Sequence, residues 1–144
     1  MTTSATFFCC ATCGVEITEL LAELPEPSLR FERGASAIAE GHFIRLSSAW
    51  TYRDFLSRRQ GGRSYLSRDG DATAFEAGDH LLNIEDVEHL VMPQAAYGCC
   101  GLQPRDEFNA SCRNGHPIGT IHDDCWSASV FRLARGHVKI VDCD

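Results

Sequence analysis

The chain has 144 residues, 44% hydrophobic and 23% charged, which is the balance of an ordinary folded protein and the length of one domain. Thirteen Lys and Arg against twenty Asp and Glu give a formal net charge of −7, which argues against attraction of the whole surface to nucleic acid or anionic lipid. No stretch approaches the roughly 18 apolar residues that span a bilayer, and MTTSATFF lacks the basic start and apolar core of an export signal, so a cytoplasmic location is expected.

In chain order, Phe7-Phe8 enters a cysteine-rich turn that Val15 and Ile17 leave in alternation, which predicts a hairpin. Leu20, Leu21 and Leu24 predict one helical turn, stopped by Pro25 and Pro27. Gly41 to Leu46 predicts a strand. Thr51 to Arg59 places Tyr52, Phe55 and Leu56 at helical spacing behind a capping-box-like start, Thr51 with Asp54, which predicts a short helix ended by Gly61-Gly62. Ser64 to Leu66 and Thr73 to Phe75 flank Arg68-Asp69-Gly70-Asp71 as a hairpin would. Asn83 can cap a last short helix, Ile84 to Leu90, and the β-branched run Val138 to Val141 predicts a final strand. The expected fold is α+β and strand-rich. It forms one domain over 1–144, with a body at 28–93 and metal-binding segments at 7–18 and 97–126 joined in a zinc-ribbon-like element.

Eight cysteines are many for this length. An exported chain would use them in disulfides; a reducing cytosol disfavours that and leaves metal binding as the better reading for at least four. Cys10-Ala-Thr-Cys13-Gly14 is the strongest motif. Two thiolates three positions apart turn toward one cation, the backbone N–H groups of the turn offset their charge, and Gly14 suits the left-handed conformation that closes it. Zinc prefers four tetrahedral ligands of this soft kind, so a second pair is needed. Cys99-Cys100-Gly101 and Cys112-Arg-Asn-Gly115-His116 offer it. Cys100-Gly101 repeats the Cys13-Gly14 ending, so the expected set is Cys10, Cys13, Cys100 and Cys112, with Cys99 and His116 as alternates. Four protein ligands close a site and make it structural, and a clasp between residues about a hundred positions apart would tie the two ends of the chain together.

Two other runs invite functional readings. His122-Asp123-Asp124-Cys125-Trp126 sets a thiol beside an imidazole and two carboxylates, the makings of a nucleophile, base and orienting group, or of a second metal site with His116. Closeness in sequence is not triad geometry, and the plainer reading places Cys125 and Trp126 in the core. Between Arg53 and Arg68 stand five arginines (53, 58, 59, 63 and 68) with Tyr52, Phe55 and Tyr65 among them, a composition suited to phosphate contact and base stacking. On an acidic chain the plainer reading is a solvated face paired with the acidic segment from Asp69 to Glu88. No His or Cys is followed by x-Glu as in zinc deaminases, and no Walker A, Rossmann glycine pattern, H-E-x-x-H or G-x-S-x-G occurs.

The set Cys10–Gly14, Gly98-Cys-Cys-Gly-Leu102, Asn109-x-x-Cys112, Gly115 and Asp124-Cys-Trp126 resembles a group of uncharacterised small bacterial zinc-ribbon-like proteins. The resemblance covers the opening segment and the chain from Gly98 onward, and it implies a zinc carrier without implying an activity. Where that group often shows C-x-C-G or C-x-x-C-G, this chain has Cys112-Arg-Asn114-Gly115 and lacks the second cysteine. The expectation is a zinc-clasped accessory, regulatory or immunity-type module that binds another protein and is not an enzyme. Catalysis by Cys125, His122 and Asp124, and nucleic-acid binding around Arg58, Arg59 and Arg63, are the alternatives.

Overall fold

The computed structural model describes residues 5–30, 35–51, 73–91, 97–98, 101–102, 110–122 and 129–143. Twelve strands run through them. These are β1 (Ala5–Cys10), β2 (Leu21–Leu24), β3 (His42–Arg45), β4 (Trp50–Thr51), β5 (Thr73–Phe75) and β6 (His80–Leu82). They continue as β7 (Tyr97–Gly98), β8 (Gly101–Leu102), β9 (Ala110–Ser111), β10 (Pro117–His122), β11 (Val130–Leu133) and β12 (Val138–Cys143). Eight of them form one mixed sheet in the order β12-β1-β2-β3-β6-β11-β10-β9, while β4 pairs with β5 and β7 with β8. Only β2 and β3 run parallel; the other pairs are antiparallel.

The fold is therefore nearly all-β, not α+β. Among the described residues there is no α-helix, only two 3-10 turns at Glu26–Ser28 and Ile84–Asp86. Leu21 and Leu24, expected on a helical turn, lie in β2. Asn83 does cap, its side chain accepting from the Glu85 N–H, but Val87 bonds back to the Ile84 carbonyl and the helix stops after one turn. β5 pairs with Trp50–Thr51. The expected helix over Thr51 to Arg59 and the Ser64–Leu66 arm of the expected hairpin fall outside the described residues from position 52 onward.

Both faces of the large sheet are covered, and this explains the missing alternation. On one face Phe8, Leu21, Phe43, Leu82 and Phe131 form a core with Cys10, Ile17, Cys112 and Ile118. Phe8 meets Phe43 edge to face with ring centroids 5.4 Å apart, a favoured aromatic geometry. The other face carries Ile44, Leu81 and Val130 against Leu29, Ile38, Leu46 and Phe75. A strand between two cores has nothing to keep polar, so β10 buries five residues in succession, Ile118 to His122. Gly119 is required there, because a side chain at that position would meet the Arg132 carbonyl and the Phe131 ring.

Alternation along β1 decides where the cysteines go. Thr6, Phe8 and Cys10 share the face of the first core, while Cys9 between them faces the other way. β12 pairs along the whole of β1, from Ala5 opposite Cys143 to Cys10 opposite Val138. The first and last described strands are thus neighbours, and the Cys10 end of β1 opens toward the turn that precedes β10.

Candidate metal centre

Two tight turns meet at one end of the first core. In the first, Gly14 N–H donates to the Cys10 carbonyl at 2.8 Å and Cys10 N–H to the Val15 carbonyl at 2.9 Å. Gly14 adopts φ 77°, the left-handed conformation that a side chain would resist. In the second, Cys112 N–H donates to the His116 carbonyl and Gly115 N–H to the Cys112 carbonyl, both at 2.8 Å, with Gly115 at φ 85°. Cys112 and His116 therefore flank a three-residue hairpin loop with glycine in its left-handed last position.

These turns bring four ligand atoms together. The sulfurs of Cys10, Cys13 and Cys112 and a ring nitrogen of His116 all lie within 4.8 Å of one another, close enough to hold a metal ion. Cys13 Sγ stands 3.8 Å from Cys112 Sγ, and Cys112 Sγ stands 3.6 Å from His116 Nδ1. Cys10 and Cys112 are buried, at 1% and 2% exposure, while Cys13 is exposed and His116 half-buried. The cluster thus has a core side and a solvent side.

The surroundings favour thiolates. The Asn114 side-chain amide donates to Cys13 Sγ at 3.3 Å and, with the Val15 N–H, brings that thiol down to about 6. At Cys112 burial opposes ionisation, but N–H groups of Asn114 and His116 and the His116 ring outweigh it and lower the thiol. Burial dominates at Cys10, so its thiol is raised despite the N–H groups of Cys13 and Thr12. His116 is raised by its contacts with Cys13 and then Cys112. The arrangement is one in which a cation replaces shared protons, since metal binding deprotonates its thiol ligands.

Of the residues singled out from sequence, Cys10, Cys13, Cys112 and His116 come together here, and Asn114 joins them as a donor to sulfur. Asn114 holds the place where a second cysteine was missed. An Asn before Gly was a visible turn signal, but its reach across to Cys13 was not. Cys99, Cys100, Asp124 and Cys125 lie outside the described residues, as do Arg53, Arg58, Arg59, Arg63 and Arg68. Cys9 and Cys143 are free thiols away from the cluster.

His122 lies on the other face of the sheet, with its ring 4.9 Å from that of Phe75 and only 3% of the residue exposed. Burial, helped by the Arg132 charge, pushes its imidazole down to about 3. Its ring is held neutral and away from solvent, and Asp124 and Cys125, expected to act with it, lie outside the described residues. No helix among the described residues is long and apolar enough to cross a membrane.

Comparison with protein-family models, with curated proteins and with solved structures returns no match to this chain.

Proposed function

We propose that Cys10, Cys13, Cys112 and His116 hold one structural zinc ion, and that the chain is a zinc-clasped cytoplasmic module whose work is to bind another protein. One observation carries the metal assignment. A tetrahedral zinc with Zn–S bonds of about 2.3 Å and Zn–N bonds of about 2.0–2.1 Å has S···S edges of about 3.8 Å and S···N edges of about 3.6 Å. Two separations within this cluster, 3.8 Å between the Cys13 and Cys112 sulfurs and 3.6 Å from Cys112 Sγ to His116 Nδ1, match such edges and support the assignment. Three soft thiolates with an imidazole are also the donor set zinc takes in closed structural sites.

The ligand set supports a structural role, because four protein ligands leave no position for a substrate or reactive water. The acidic balance of the chain supports a protein partner over nucleic acid. The sequence resemblance to small bacterial zinc-ribbon-like proteins agrees with a zinc carrier of accessory, regulatory or immunity type. Elemental analysis of protein purified without added metal tests the assignment: one zinc per chain in the parent and loss of zinc in Cys112→Ser. A partner captured by the parent should be released by the same substitution. Metal-dependent turnover of a substrate with no captured partner would reject the module reading.

A further inference from the structure

The solvent side of the cluster is a single sulfur. Cys13 is exposed, whereas Cys10 and Cys112 are buried among Phe8, Ile17 and Ile118 in the first core. The Cys13 sulfur stands 3.8 Å from that of Cys112, contributed by the far end of the chain. A disulfide needs about 2.0 Å, so the two sulfurs must close by less than 2 Å, a movement that side-chain rotation at the exposed Cys13 can supply.

From this arrangement we infer that Cys13 is an oxidation site for peroxides and that Cys112 resolves it, so that a disulfide replaces the metal as the clasp; the inference rests on the zinc reading above. In the first step the Cys13 thiolate attacks hydrogen peroxide. One S–O bond forms as the O–O bond breaks, giving a Cys13 sulfenic acid and hydroxide. In the second step the Cys112 thiolate attacks the Cys13 sulfur, forming the S–S bond and expelling hydroxide. The sulfurs give up two electrons in all, peroxide accepts them, and two protons from solvent convert the hydroxides to water. Only Cys10 and His116 would then remain to hold a metal ion, too few to retain it.

Cys10 is the competing resolver, since it shares the first turn with Cys13. A Cys10–Cys13 bridge would close a loop of a few residues within one turn. A Cys13–Cys112 bridge closes a loop of about a hundred; in the folded protein, where both turns are already held together, sulfur geometry decides between the two, and the Cys13 and Cys112 sulfurs stand 3.8 Å apart. The oxidised protein therefore keeps its two ends tied after the metal has gone.

The test uses the full-length protein purified under reducing conditions, its zinc content measured first, then treated with hydrogen peroxide in the presence of a chromogenic zinc chelator. The expected result is release of one zinc per chain with loss of two hydrogen atoms of mass. A non-reduced tryptic digest should then contain peptide 1–30 joined to peptide 106–113, with fragment ions placing the link on Cys13, and dithiothreitol should reverse it. Release of zinc with a Cys10–Cys13 link, with only sulfinic acid at Cys13, or with no cross-link overturns the inference, as does zinc retained under excess peroxide. If the starting protein holds no zinc, the metal reading fails by itself, and the same digest still reports whether Cys13 and Cys112 join. A Cys9→Ser/Cys143→Ser variant, which keeps all four cluster residues, should give the same link and release.

Discussion

Cys13 and Cys112 stand ninety-nine positions apart in the chain, yet their sulfurs lie 3.8 Å apart. The turns after Cys10 and after Cys112 both close on a left-handed glycine, and they meet at one end of the first core, where Cys10 and Cys112 are buried. An ion held between them ties an N-terminal turn to a C-terminal one. The expected consequence is that metal contributes to stability.

Removal of the metal with a strong chelator at neutral pH should lower unfolding free energy by at least about 4 kcal/mol, the linkage expected when metal stands a thousandfold above its dissociation constant. Cys112→Ser should lose a similar amount without chelator and almost nothing more with it. Urea unfolding of both proteins, with and without chelator, checks this.

His116→Ala should reduce metal affinity, while His116→Cys should retain one zinc with a fourth thiolate in place of the ring. Cys99→Ser and Cys100→Ser should keep full metal content. Competition against a calibrated zinc chelator separates these cases: loss of zinc in Cys100→Ser, with retention in His116→Ala, would restore the cysteine pair at 99–100 as the source of the fourth ligand.

The cysteine half of this site was legible because a metal knuckle is local. Cys10-x-x-Cys13-Gly14 declares both its thiols and its turn within five residues, and Cys112 with Gly115 announces a second turn. The fourth ligand was harder. Local chemistry prefers Cys100-Gly101, because it repeats the Cys13-Gly14 ending, with His116 as an alternate; what puts His116 beside Cys112 is a hairpin pairing between their own backbones, while Cys100 lies outside the described residues. The fold was less legible still. Leu20, Leu21 and Leu24 have helical spacing, but Leu21 enters one core and Leu24 packs against the other, because β2 sits inside a sheet covered on both faces. A strand of that kind loses the period of two by which strands are recognised. The final strand, free of that double burial, was read correctly over Val138 to Val141 and extends to Cys143.

Gly119→Ala should destabilise the protein by roughly 1–3 kcal/mol, the range for overpacking a well-filled core, since the added carbon meets the Arg132 carbonyl and the Phe131 ring. Zinc content should be unchanged, because the clash lies within the β10–β11 pair and not in either cysteine turn. Denaturant midpoints and elemental analysis on the same sample check both halves of the statement.

His122 should make stability depend on pH. Its imidazole is pushed down to about 3 by burial, below the usual ~6.5 of the unfolded chain. The unfolded state therefore binds the extra proton first. The contribution is complete above the unfolded value and is lost as pH falls from about 6.5 toward 3, amounting to about 2 kcal/mol between pH 7 and pH 5. Thiol protonation at the metal centre acts in the same direction, so the measurement is a difference. His122→Leu should flatten the parent's pH profile by that amount while leaving the metal-dependent part in place.

The central claim is tested most directly by zinc X-ray absorption spectroscopy on protein purified with its native metal. The account predicts one zinc with three sulfur ligands at about 2.3 Å and one imidazole nitrogen at about 2.0–2.1 Å. Four sulfurs without imidazole, an oxygen-bearing open site, or protein that folds and purifies without bound zinc would contradict it.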